Sequence, residues 1–190
     1  MIVAHVRRDG KARQSLEAHL TGVSNLASEF AAKFQLTSQG ELIGLLHDLG
    51  KYSASFQAYL QSATDLLNPD EDEDYVDAAS LKGKIDHSSS GAQFIWQALA
   101  EKSPLAAQIL ALCVASHHSG LIDCLAMSAG QAAEDGFSKR MHKSDERTHL
   151  SEVLHKADAD LLARARVLLA APETGQAFQA WPSRILHKTP

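Results

Sequence analysis

The sequence predicts an all-α fold, a helical bundle whose polar groups gather at helix ends. Apolar residues recur at threes and fours along most of the chain, and helix-boundary residues punctuate those runs. No period-two alternation is convincing, so no paired strands and no internal repeat are expected. With 190 residues, 45% of them hydrophobic, the chain can close one core without disulfide or metal staples.

Leu16, Leu20, Val23, Ala27, Phe30 and Phe34 form one apolar stripe on a long first helix. Thr37 or Ser38 caps a second helix through Leu42, Ile43, Leu45 and Leu46, ending near Gly50. Phe56, Tyr59 and Leu60 belong to a third. Asn68 to Lys84, with Pro69, an acidic run and Gly83, reads as an exposed loop. A helix follows from Ser90 through Phe94, Ile95, Ala98 and Leu99. Ser103 and Pro104 then pair as N-cap and first-turn residue of the most apolar helix, which runs to His118 and stops at Ser119-Gly120. Gly130 to His142 and Thr148 to Ala171 are amphipathic but more polar. The region from about Gln131 is therefore expected to be peripheral, and the end, with Pro172, Pro182 and Pro190, irregular.

Composition narrows the function classes. The longest apolar run, Leu105 to Ala115, is broken by Gln108 and falls short of the roughly 20 residues of a membrane span. The N-terminus lacks the charged-then-apolar order of a secretory signal. Cys113 and Cys124 fit neither a zinc knuckle nor a redox pair, so a reducing cytoplasm is the expected compartment. A net charge of −5 argues against a general nucleic-acid coat. Six of the negative charges lie at Asp70, Glu71, Asp72, Glu73, Asp74 and Asp77, so the rest of the chain is near neutral. That run reads as a solvated loop. Nothing suggests more than a monomer.

Histidine is the unusual residue, with ten copies. His19 flanks the first apolar stripe, and His47-Asp48 ends an apolar helix just before Gly50-Lys51. His87 stands at a helix start, and His117-His118 closes the most apolar helix. Four segments thus bring imidazoles to helix ends at the core. An adjacent base and acid buried on an apolar helix is costly without a partner. A lone His19 would be a hydrogen-bonded core-edge residue, and the doublet alone could complement a helix dipole. Taken together, the six favour metal. Imidazoles suit Mn, Fe, Co or Ni, a carboxylate can bridge two ions, and so few carboxylates disfavour Mg. Two ions roughly 3.5–4 Å apart can activate water and neutralise a phosphodiester. His142, His149, His155 and His187 lie in polar surroundings and read as solvated, while His5 is ambiguous.

These elements resemble the HD nuclease domain of the CRISPR-associated nuclease-helicase of type I systems. The resemblance runs through His19, Leu45-Leu46-His47-Asp48-Leu49-Gly50-Lys51, Asp86-His87-Ser88-Ser89-Ser90-Gly91 and His117-His118-Ser119-Gly120-Leu121. The stretches Ala4 to Gly10, Gln14 to Leu20, Lys51 to Leu60 and Gly136 to Arg140 are similar to subtype I-C members, and the likeness covers most of the chain. The resemblance implies a helical domain whose metals hydrolyse single-stranded DNA. A surveillance complex, Cascade, opens the target, and an ATP-driven helicase domain feeds the strand. By motif position His19, His47 and Asp48 would hold one ion. Asp48 would bridge to a second, held by His87, His117 and His118, with Lys51 beside the scissile phosphate.

The chain contains no Gly-x-x-x-x-Gly-Lys-Ser/Thr phosphate loop. Residues 1–190 are therefore expected to be the nuclease domain alone, as the N-terminal piece of a longer nuclease-helicase or as a separate subunit partnered by a helicase in trans. The family completes its first metal site with a late aspartate inside an apolar helix. Asp158 and Asp160 fit only superficially, on a polar stretch, so that residue is expected to be missing. Two other functions share the motifs. One is an HD phosphohydrolase acting on nucleotides or a cyclic dinucleotide, and the other is a catalytically incomplete module that docks on the surveillance complex.

Overall fold

The computed structural model describes residues 1–6, 12–64, 72, 75–81, 85–118, 120–128 and 131–179. Among these, helices dominate, as the periodicity predicts. Two short antiparallel ribbons are present too, against the expectation of no paired strands. β1 (Val3–Val6) pairs with β2 (Arg13–Ser15), and β3 (Ala126–Ser128) with β4 (Gln131–Ala133). Strands of three or four residues are too short to leave a period-two signal. The Gln57 side chain holds β1 in place, accepting from the Val3 amide (3.0 Å) and donating to the Val3 carbonyl (2.9 Å).

Ser15 opens α1 (Leu16–Ala32) by accepting from the Ala18 amide at 3.2 Å, and Glu17 in the first turn complements the helix dipole. The predicted stripe is enclosed only at its start: Leu16 and Leu20 are buried, Val23 and Ala27 are partly buried, and Phe30 and Phe34 are more than half exposed. The reason lies in the partner helix. After Gln35, whose positive φ of 61° reverses the chain, α2 (Thr37–Leu46) runs back along α1. A Cβ on Gly44 would stand 2.3 Å from Ser24 Cα, so glycine and serine set the contact. α2 thereby covers the Ser24 face of α1 rather than its phenylalanines. Leu36 occupies the cap position of α2, and neither Thr37 nor Ser38 caps it as expected. The helix also stops at Leu46, earlier than predicted, and a 3₁₀ turn covers Leu49–Tyr52.

Ser53 caps α3 (Ala54–Ser62) through the Phe56 amide. The segment read as loop contains a helical turn, α4 (Ala78–Leu81), because Asp77 Oδ1 accepts from the amides of Ala79 (3.1 Å) and Ser80 (3.4 Å). Asp70, Glu71, Glu73 and Asp74 lie outside the described residues. α5 (Ser89–Leu99) and α6 (Pro104–Ser116) follow, with Pro104 at the first position as predicted, although the Ser103 hydroxyl makes no cap bond.

The expectation of a peripheral region after Gln131 is wrong. α7 (Gly136–Met141), α8 (Asp145–Thr148), α9 (Leu150–Lys156), α10 (Ala159–Ala170) and α11 (Pro172–Gln176) close the core. They bury Phe137, Met141, Val153, Leu162, Ala165 and Leu168. α7, α8, α9 and α11 are too short to show a stripe, whereas α10 buries a full one, Leu161, Leu162, Ala165, Leu168 and Leu169. Pro172 starts a helix instead of an irregular tail, whereas Pro182 and Pro190 lie outside the described residues. Cys113 and Cys124 are free thiols. Among the described residues no helix is long and apolar enough to cross a membrane.

Candidate metal centre

The end of α2 delivers the central carboxylate. His47 is the helix's C-terminal cap, and Asp48 follows it at the entrance to the 3₁₀ turn, where it is buried. The turn lies directly on the backbone before α5. The Gly50 amide donates to the His87 carbonyl (3.1 Å), and a Cβ on Gly50 would stand 2.4 Å from that oxygen. Only glycine lets Asp48 and His87 come so close. His19 arrives one turn into α1, and His117 caps the C-terminal end of α6, with His118 next to it.

All six residues singled out in the sequence meet at Asp48. Its Oδ2 lies 3.0 Å from His19 Nε2, 3.2 Å from His47 Nε2 and 2.8 Å from Lys51 Nζ. Its Oδ1 lies 3.2 Å from His117 Nε2, 3.7 Å from His87 Nε2 and 3.9 Å from His118 Nε2. The two oxygens therefore face two different sets of imidazoles. His19 Nε2 and His47 Nε2 are 3.2 Å apart, and the rings of His117 and His118 touch at a centroid distance of 4.0 Å. His118 is the exposed member and Lys51 the enclosed one. Lys51 aims its ammonium inward, at Asp48 and toward the Ala4 carbonyl (3.5 Å).

Hydrogen bonding behind the rings decides what they offer in front. His47 Nδ1 lies 2.9 Å from the Gly44 carbonyl, His117 Nδ1 2.7 Å from Val114 and His87 Nδ1 3.3 Å from Ile85. A carbonyl can only accept, so each Nδ1 donates to the backbone behind it, which fixes the ring and leaves Nε2 as the atom that faces Asp48. Burial pushes the His87 pKa down to about 4, which keeps that ring neutral at ordinary pH. Burial also lowers the pKa values of His5, His19 and His118. For Asp48 burial acts upward, but hydrogen bonds from His117 and His47 and the Lys51 charge outweigh it and hold the carboxyl well below the usual range.

A carboxylate ringed by imidazole nitrogens is the donor set of a cation. His87 Nε2 shows the need most directly, being fully buried with no hydrogen-bond partner. The donor atoms of Asp48, His87, His117 and His118 lie within 4.8 Å of one another, close enough to close on a single ion. The residues present thus fit a divalent metal, with the backbone carbonyls behind the imidazoles orienting them.

Sequence reasoning left His5 open, and the structure places it here. Its ring meets that of His19 edge-on at 4.7 Å between centroids, and donor atoms of His5, His19 and Asp48 lie within 4.8 Å of one another. The two late aspartates lie elsewhere. Asp158 caps α10 by accepting from the Leu161 amide (2.9 Å), and Asp160 is exposed in that helix's first turn. Of the remaining histidines, His149 is only half-exposed, within 3.3 Å of Ser55 Oγ. His142 and His155 are exposed as expected, and His187 lies outside the described residues.

A model of the family described as "Cas3, HD domain" matches residues 7–185, nearly the whole chain. No curated protein and no solved structure matches it.

Proposed function

The chain belongs to the HD domains of Cas3, and from that premise we propose that it cuts single-stranded DNA with up to two divalent transition-metal ions gathered by Asp48. Membership carries the coarse assignment, a metal-dependent nuclease of CRISPR defence acting on nucleic acid. The observation that supports the finer reading is the division of labour at Asp48, each of whose oxygens faces its own imidazole set.

Bound ions supply positive charge against the phosphodiester and make water nucleophilic at neutral pH. The chain's own residues do the rest. His19 and His47 hold one donor set at Oδ2, and His87, His117 and His118 hold the other at Oδ1. Their nitrogen-rich chemistry favours Mn, Fe, Co or Ni over Mg. Asp48 bridges the two sets. Lys51, enclosed against it, adds a point charge that favours the anionic transition state. A near-neutral surface outside the acidic run implies that DNA binding by the domain alone is weak and falls steeply with salt. Delivery of the strand accordingly falls to partners, a helicase domain in cis or trans and the Cascade complex, with the domain acting as a cytoplasmic monomer.

The decisive experiment incubates purified protein with circular single-stranded DNA and Mn²⁺, Co²⁺, Ni²⁺ or Mg²⁺, beside Asp48→Ala. Cleavage with a transition metal that the variant lacks is expected. Phosphate release from a nucleotide panel with the DNA left intact would overturn the substrate assignment.

A further inference from the structure

Two donor sets share Asp48, and they are unequal. Oδ1 faces three imidazoles, from His87, His117 and His118, so an ion there meets four protein donors with the carboxylate. Oδ2 faces two imidazoles, His19 and His47, and neither Asp158 nor Asp160 joins them. We propose that His5 is the fourth donor on the Oδ2 side, delivered to the metal centre by the N-terminal ribbon. The inference rests on the reading of the Asp48 cluster as a metal centre.

Three observations carry it. The first is the strand's own irregularity. Val3 pairs with Ser15 and His5 with Gln14, so β1 spends two steps where β2 spends one. In a regular strand Val3 and His5 would project from the same face, into the core. The register shift breaks that alternation: Val3 and Ala4 are both buried and His5 is released to the exposed edge of the cluster. Such bulges re-aim side chains next to functional sites. The second observation is anchorage. β1 is fixed by both Gln57 bonds to Val3, Gln57 also donates to the Lys51 carbonyl (2.9 Å), and the Ala4 carbonyl faces the Lys51 ammonium. The strand is thus bonded to the turn that follows Asp48. The third is chemistry. His5, His19 and Asp48 present ligand atoms within 4.8 Å of one another, which a shared ion can draw together. A set of three imidazoles and one carboxylate suits the borderline ions and leaves positions open for water and phosphate. Because His5 is the exposed member, its removal unpacks no core.

The test is a titration of the protein with Co²⁺ alone, followed by calorimetry and by visible absorption, which reports coordination number. Wild type is compared with His5→Ala, His5→Gln, His19→Ala and His118→Ala. Both His5 variants are expected to weaken the same equivalent that His19→Ala weakens, by at least ~10-fold, the loss that even an indirect metal partner causes. They should leave untouched the equivalent that His118→Ala weakens. A wild-type response in both His5 variants, with His19→Ala impaired, overturns the inference and leaves the metal centre standing. Absence of Co²⁺ uptake by wild type itself overturns the metal centre and the inference with it.

Discussion

The two sides of Asp48 are built by different means. On the Oδ2 side, His19 and His47 project from α1 and α2, whose separation is set by the close approach of Gly44 to Ser24 and by enclosed leucines. A buried ammonium, Lys51, already faces that oxygen. On the Oδ1 side the donors stand at loose ends, the segment before α5 and the C-terminus of α6. Here polar clips from α7 and the residue pair after it do the holding. Arg140 Nη1 donates to Ser88 Oγ (3.0 Å) and to the Ala115 carbonyl (2.5 Å), tying the His87 segment to the end of α6. Lys143 Nζ binds Asp86 at 2.5 Å. Gln93 Nε2 donates to the carbonyls of Arg140, Met141 and Lys143. One half-site is therefore positioned by core packing, and the other by a hydrogen-bonded bracket that can be loosened while the core stays folded.

Substitutions that strike both halves should have the largest effects. Asp48→Ala is expected to remove both Co²⁺ equivalents and to lower cleavage by at least about a thousandfold. That follows because charge stabilisation by bound metal contributes several kcal/mol to the transition state. Circular dichroism should show helical content retained. Uptake of one full-affinity equivalent by this variant would mean that the carboxylate serves only one half. Gly50→Ala acts at the seam between the halves. Its Cβ would stand 2.4 Å from the His87 carbonyl oxygen, so the 3₁₀ turn and the His87 segment must part. We expect a loss of ~1–3 kcal/mol in urea unfolding, the usual cost of overpacking, together with weakened binding at the Oδ1 side. Unchanged stability would show that the seam yields more easily than its geometry suggests.

How much of this was legible follows from the same contrast. His19, His47, Asp48, His87, His117 and His118 betray themselves because polar groups beside enclosed apolar runs are costly without a partner. Their convergence needed only the approximate ends of the helices, even though the caps read for α2 and α6 are not made. His5 was not legible, since a register shift in a four-residue strand leaves no periodic trace. The bracket was hidden too. Arg140 and Lys143 look like surface residues in a polar stretch, Gln93 is a single polar residue between Ala92 and Phe94 on α5, and α7 buries only Phe137 and Met141. The exposure of Phe30 and Phe34 escaped prediction for a related reason. Which face of α1 is covered depends on the small residues of α2, and no pattern within α1 contains that information.

Arg140→Gln isolates the bracket. It removes both donations at once and leaves Ser88 Oγ and the Ala115 carbonyl to find other partners. The expected result is about a tenfold weaker Co²⁺ equivalent at the His87, His117 and His118 side, as for other supporting partners of metal ligands. A stability loss of about 1–3 kcal/mol should accompany it, in line with hydrogen bonds to a charged group. The equivalent that His19→Ala weakens should not change. Equal weakening of both equivalents would break the comparison, making α7 a general support of the core.

Lys143→Met should act in the same direction with a smaller effect. Lys143 reaches the donors at one remove, through Asp86, and Asp86 keeps two other bonds when the lysine is gone. It accepts from the Ser89 amide (3.0 Å) and the Ser89 hydroxyl (2.6 Å), and so keeps its hold on the first residue of α5. The pair is partly exposed, which weakens its Coulombic contribution. The His87 segment therefore loses one of its ties while Arg140 still spans to α6. A few-fold loss at the Oδ1-side equivalent, roughly 1 kcal/mol or less in urea unfolding, and no change at the other side are expected. If Lys143→Met weakened that equivalent more than Arg140→Gln, the bracket would run through Asp86 and the start of α5, and the link to the end of α6 would be the lesser part.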